Sequence, residues 1–147
     1  LVQEKREEVT TEGGLDVNRN EAIVKRTVAR LQKSGIAVSL FINPSKAEID
    51  ASVRVGAGII EFHTGEYANA LNAGARRRQL DILKRAASYA LSKGLRVNAG
   101  HGLNYKNVKA VAKIKGMNEL NIGHSIVSRA VFSGMGKAVK EMIAVIR

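Results

Sequence analysis

The sequence contains no cysteine, so a disulfide framework, a thiolate metal site and a cysteine nucleophile are all excluded. Aromatic residues make up only 4% of it, too few for the stacking platforms on which single-strand nucleic-acid binders depend. No apolar run approaches the roughly 20 residues that a membrane-spanning helix requires. The opening stretch, Leu1-Val2-Gln3-Glu4-Lys5-Arg6, lacks the apolar core of a secretory signal, so nothing argues for export and a cytoplasmic location is expected. The chain does not begin with Met, and its first residues read like the tail of a strand running into a loop.

The 147 residues are 45% hydrophobic and 25% charged, which suits one soluble domain or a piece of a larger one. Lys and Arg total 24 against 13 Asp and Glu, a formal net charge of +11 that favours anionic partners such as nucleic acid, a membrane surface or phosphorylated small molecules. The positive charges are dispersed over many helices. The densest run, Arg76-Arg77-Arg78, has no aromatic neighbour, so nucleic acid is the second reading.

Hydrophobic periodicity gives strict alternation of helices and strands. Asn20 to Lys33 carries Ile23, Val24, Val28 and Leu31 at helical spacing, with Gly35 as its stop. Ile36 to Ile42 is a near-continuous apolar run, as in a buried parallel strand. Ser45 and Glu48 have capping-box spacing behind Pro44. A strand over Ile59 to Gly65, a long helix from Ala70 to Lys93 and a strand over Leu95 to Ala99 follow. A short helix from Asn107 to Lys115 and a strand over Glu119 to Ile122 complete the alternation. A last helix starts at Ser125, breaks near Gly134-Met135-Gly136 and resumes to Arg147. The pattern predicts an α/β fold with four parallel strands and helical crossovers. Because a closed (β/α)₈ barrel needs about 250 residues, this chain reads as roughly the second half of one, residues 1–147 forming a single unit. A self-standing doubly wound sheet is the alternative, but it carries its anion loop after the first strand, whereas here the glycine-rich strand ends come last.

Two strands end in Gly-His: Asn98-Ala99-Gly100-His101-Gly102 and Asn121-Ile122-Gly123-His124. Barrel phosphate sites are built from the loops after the last two strands and the N-terminus of a short extra helix, and the helix opening at Gly123-His124-Ser125 supplies that third part. His101, at a strand-to-loop handover, suits proton transfer near neutrality; His124 suits ligand contact. Glu61 and His63 share one face of their strand, and apolar Ile60 and Phe62 the other, so the carboxylate points into the barrel. Cost makes an inward carboxylate either paired or functional. His63, His101 and His124 lack the local spacing of a helical zinc motif, and no metal site is expected. The polar, glycine-rich Thr10-Thr11-Glu12-Gly13-Gly14 reads, by itself, as an ordinary connection.

Taken together, Glu4-Lys5-Arg6-Glu7-Glu8-Val9-Thr10-Thr11-Glu12-Gly13-Gly14-Leu15-Asp16-Val17, Val38-Ser39-Leu40-Phe41-Ile42, Glu61-Phe62-His63-Thr64-Gly65, Val97-Asn98-Ala99-Gly100-His101-Gly102-Leu103 and Glu119-Leu120-Asn121-Ile122-Gly123-His124 resemble the pyridoxine 5'-phosphate synthase family of vitamin B6 biosynthesis. The resemblance covers nearly the whole chain. It implies a (β/α)₈ barrel, a transferase that condenses 3-amino-2-oxopropyl phosphate with 1-deoxy-D-xylulose 5-phosphate, no metal or organic cofactor, and assembly into octamers. It implies His101 as proton donor and Glu61 as a stabiliser of charged intermediates. Gly102, Gly123 and His124 would contact the aminoketone phosphate. Thr10 would contact the deoxyxylulose phosphate from a lid loop, against the plainer reading of that loop. The family's first half, with a second catalytic histidine, a glutamate base and substrate-binding arginines, has no counterpart in these residues. The chain is therefore expected to be an incomplete, inactive piece with two open sheet edges.

Overall fold

The computed structural model describes residues 1–2 and 13–147. Its elements alternate from α1 (Glu21–Lys33) and β1 (Ser39–Ile42) to α2 (Lys46–Arg54) and β2 (Ile59–His63). After β2 come a single turn α3 (Gly65–Ala68), the long α4 (Ala73–Ser92) and β3 (Arg96–Gly100). The chain continues through α5 (Val108–Ala112), β4 (Met117–Asn121), α6 (His124–Ser133) and α7 (Met135–Ile146). The four strands form one parallel sheet in the order β1-β2-β3-β4, the arrangement of a partial (β/α)₈ barrel.

Strand alternation divides the sheet into an apolar outer face and a polar inner one. Leu40, Ile42, Ile60, Phe62, Val97 and Ala99 are wholly buried under the helices, joined by Val28, Ile49, Leu83, Val108 and Val111 from the helical layer. Burying each of the larger of these side chains contributes about 1.5–3 kcal/mol, which fixes register, because a one-residue slip would turn the core face inside out. The register sets Phe41 beside Glu61 and Glu61 beside Asn98, and one step further His63 beside Gly100 and Gly100 beside Asn121. The inner face therefore gathers the polar strand positions.

Helix ends follow local chemistry and depart from expectation in places, α5 among them, which stops at Ala112 and not at Lys115. The Ser45 hydroxyl caps α2 by accepting the Glu48 amide at 3.3 Å, but the Glu48 carboxylate does not return the bond. It accepts the Val17 amide at 2.8 Å instead, pinning the segment before α1 to α2. The long helix begins at Ala73, not Ala70, because the Asn72 side chain caps it by accepting the Ala75 amide at 2.9 Å. The turn α3 in the interval has no periodicity at four residues, and so no sequence signature.

Among the described residues the sheet ends at β1 and β4, the two edges expected, and Leu1 bonds to the first of them. Leu1 lies against the outer side of β1: its amino group donates to the Ser39 carbonyl and its own carbonyl accepts the Phe41 amide at 2.9 Å. That is the parallel bridging pattern, and it agrees with reading the first residues as the tail of a strand. The outer edge of β4 has no strand partner among the described residues.

Candidate active site

The site lies at the carboxyl ends of the strands, where β2, β3 and β4 bring their polar inner positions together. Glu61 leans from β2 across β3 and accepts the Asn121 side-chain amide at 2.6 Å. It can do so only because position 100 has no side chain: a Cβ on Gly100 would lie 2.1 Å from Glu61 Oε1. Burial pushes the Glu61 carboxyl above its ordinary pKa; the Asn121 bond opposes this and the Glu119 carboxylate adds to it.

His63 and His101 meet with ring centroids 4.7 Å apart, and Phe41 closes the other side of His63 edge-on at 5.4 Å. His63 is only 8% exposed, and its Nε2 has no hydrogen-bond partner among the described residues. Burial, and then the neighbouring His101, lower its pKa against a smaller opposing pull from Glu66.

His101 adopts φ +75°, a left-handed backbone that costs a side-chain-bearing residue about 1–2 kcal/mol. Tertiary contacts hold it there. The Thr64 hydroxyl reaches the Gly100 carbonyl at 2.7 Å and the His101 carbonyl at 2.5 Å, and the Thr64 amide also donates to Gly100. Gly102 follows at φ +76°, so two successive left-handed residues reverse the chain at the strand end. The returning loop is clamped by buried Asn107. Its side chain accepts the Asn104 amide at 2.7 Å and donates to the Gly102 carbonyl at 3.1 Å, while its carbonyl accepts the Tyr67 hydroxyl at 2.7 Å.

His101 forms part of the wall of two hollows. One, of about 380 Å³, is lined by Leu1, Val2, Ser39, Phe41, Glu61 and His101. The other, of about 500 Å³, lies between the ends of β3 and β4 and includes His101, Gly102, Asn121, Gly123, His124 and Ser125 in its wall. Among the described residues no side chain caps the N-terminus of α6, whose first residues line this second hollow, and first-turn amides without helical acceptors favour an anion. The Ser125 hydroxyl donates to the Leu103 carbonyl at 2.9 Å and ties the two loops together.

The structure thus brings together five of the six residues singled out from the sequence: Glu61, His101, Gly102, Gly123 and His124. Thr10 lies outside the described residues. Sequence reading missed Asn121, Thr64 and Asn107, whose partners are 20 or more residues away or depend on a loop closing on itself. It also missed Gly100 as a passage between two side chains.

With the geometry in view, comparison with known proteins is decisive for the family. The profile of the family described as pyridoxal phosphate biosynthesis protein PdxJ matches residues 1–147. The chain belongs to this family. It is 56% identical over 142 residues to the pyridoxine 5'-phosphate synthase of Trichodesmium erythraeum, covering 97% of this chain and 59% of that protein. The pyridoxine 5'-phosphate synthase of a Sulfurihydrogenibium strain is 55% identical over 146 residues, 99% of this chain and 60% of its own length. That of Coxiella burnetii is 56% identical over 142 residues, again covering 97% and 59%. The chain accordingly spans about three fifths of the length of these relatives. Family membership agrees with the partial-barrel reading of the parallel sheet, and no helix among the described residues is long and apolar enough to cross a membrane.

Proposed function

We propose that this chain carries one side of the active site of a pyridoxine 5'-phosphate synthase. The reaction is the ring-closing condensation of 3-amino-2-oxopropyl phosphate with 1-deoxy-D-xylulose 5-phosphate, giving pyridoxine 5'-phosphate, phosphate and water. The observation that carries this reading is His101 standing in the walls of two hollows, one lined by a carboxylate and the other by an uncapped helix end. A reaction joining two phosphorylated molecules needs an acid-base group at the junction and an anion grip beside it.

In this reading His101 donates protons as the new ring closes and loses water. Glu61 stabilises positive charge that develops on amine-derived intermediates, as a carboxylate in a half-buried setting does more strongly than in water. Gly102, Gly123 and His124 hold the aminoketone phosphate: the glycines admit the phosphate close to backbone amides, and the imidazole adds a donor. Thr10 contacts the phosphate of the deoxyxylulose substrate. No metal or organic cofactor enters the scheme, the enzyme works in the cytoplasm, and it assembles as a homo-oligomer, an octamer by resemblance.

The test is formation of pyridoxine 5'-phosphate from the two purified substrates by the full-length protein. Product that depends on both substrates supports the reading. A full-length protein that binds neither phosphorylated substrate and forms no product overturns it.

A further inference from the structure

Glu61 and Asn121 are two strands apart, yet their side chains meet at 2.6 Å over the bare backbone of Gly100. The register explains the reach. Glu61 is paired with Asn98 and Asn121 with Gly100, so the carboxylate crosses β3 on a diagonal, at a position where any side chain would block it. We propose that Asn121 is a positioning residue that holds Glu61 as a carboxylate aimed at the reacting centre, with the gap at Gly100 as the passage for their contact. This inference rests on the role given to Glu61 above and names the group that makes the role possible.

The charge balance around Glu61 shows why such a partner is needed. From β1 it faces Ser39 and Phe41, neither charged. Its own strand carries His63, whose pKa burial lowers, and β3 brings Asn98 and then His101, which lines the same hollow. From β4 the Glu119 carboxylate repels it. Burial and Glu119 both favour the neutral acid. The Asn121 amide is the strongest influence on the other side, because a hydrogen-bond donor favours the form that can only accept. An amide suits this task better than a cation: it fixes the carboxylate without neutralising the charge that an intermediate would meet.

Asn121 pairs with Gly100 through its backbone, and its side chain makes no contribution to the strand ladder, so Asn121→Ala removes the amide while preserving the backbone bonds. The experiment uses the full-length protein and two readouts. The first is an infrared titration of the carboxyl C=O band, assigned by its loss in Glu61→Gln, which reports Glu61 protonation without turnover. Asn121→Ala should move the midpoint upward by about one pH unit, the size expected for losing one hydrogen bond to a charged acceptor. Asn121→Asp should move it further, because two carboxyls at that separation share a proton. The second readout is the pH dependence of kcat. In Asn121→Ala the acid limb should shift upward with the infrared midpoint, costing about tenfold at a pH on the limb and recovering as pH rises, with KM changed by less than about twofold.

An infrared midpoint that stays in place in Asn121→Ala overturns the inference, as does a kcat loss equal at every pH. A shifted midpoint in a protein that forms no pyridoxine 5'-phosphate upholds the Asn121–Glu61 coupling and overturns the proposed reaction instead.

Discussion

The Thr64 hydroxyl reaches the His101 carbonyl at 2.5 Å while sharing the Gly100 carbonyl at 2.7 Å, so the end of β2 dictates the backbone on which the proposed proton donor is mounted. Thr64 is almost wholly buried, so removing its hydroxyl leaves the His101 carbonyl short of a donor, while the Gly100 carbonyl keeps the Thr64 amide. Thr64→Val should cost about 1–3 kcal/mol in chemical denaturation and lower kcat, because His101 loses the contact that holds its left-handed backbone. Thr64→Ser, which retains the hydroxyl, should restore most of both. Equal behaviour of the Val and Ser variants would show that shape alone matters at this position.

His101 and Glu61 should separate activity from stability. Both are only partly buried, and neither belongs to the apolar layer. In the full-length protein, His101→Ala should lower kcat by about 10²–10⁴, the usual contribution of a general acid. Glu61→Gln, close to isosteric, should also lower turnover far more than it shifts the melting temperature. Near-normal turnover of His101→Ala would rule out the proton-transfer role.

Gly102 combines two demands that a double variant can separate. At φ +76° any side chain is strained, and a Cβ there would also come within 2.6 Å of the Ala68 Cβ. Gly102→Ala should be destabilised by about 1–3 kcal/mol. Adding Ala68→Gly should recover the steric part, less the cost of a new helical glycine, and leave the backbone part. Thermal melts of the two singles and the double form a cycle, and strict additivity would show that the two positions do not touch.

His63 gives the stability a defined pH dependence. Its pKa in the folded protein lies below the ordinary value of 6.5, from burial first and His101 second. Below that value the unfolded chain takes up a proton that the folded protein resists, so this contribution is present above the ordinary pKa and is lost as pH falls toward the folded one. His63→Phe, which retains an aromatic ring beside Phe41 and His101, should flatten the fall of unfolding free energy on the acid side of neutrality. An unchanged slope would mean that His63 is protonated equally in both states.

Much of the scaffold was legible in the sequence because its signals are local. Apolar periodicity marked α1, and short strand-like runs the four strands; Gly134-Met135-Gly136 marked the break before α7; Ser45 announced the start of α2; and Ile60 and Phe62 on one face against Glu61 and His63 on the other established which way the carboxylate points. Gly-His at two successive strand ends marked the anion side of the site. Contacts over distance were hidden. Glu48 had the spacing of a helix-capping residue and went to Val17, because the amide preceding α1 competes for the same carboxylate. Asn121 resembled any polar residue on a strand until the register placed it beside Gly100. The residue types, their spacing and hence the parallel α/β class followed from the sequence itself, since side-chain direction in a strand or helix is set by backbone geometry. Tertiary structure alone decided that Asn121 meets Glu61, that Thr64 meets the His101 carbonyl and that burial lowers the His63 pKa. Each of these depends on which side chains lie within a few ångströms after the strands have paired, a distance that no local signal encodes.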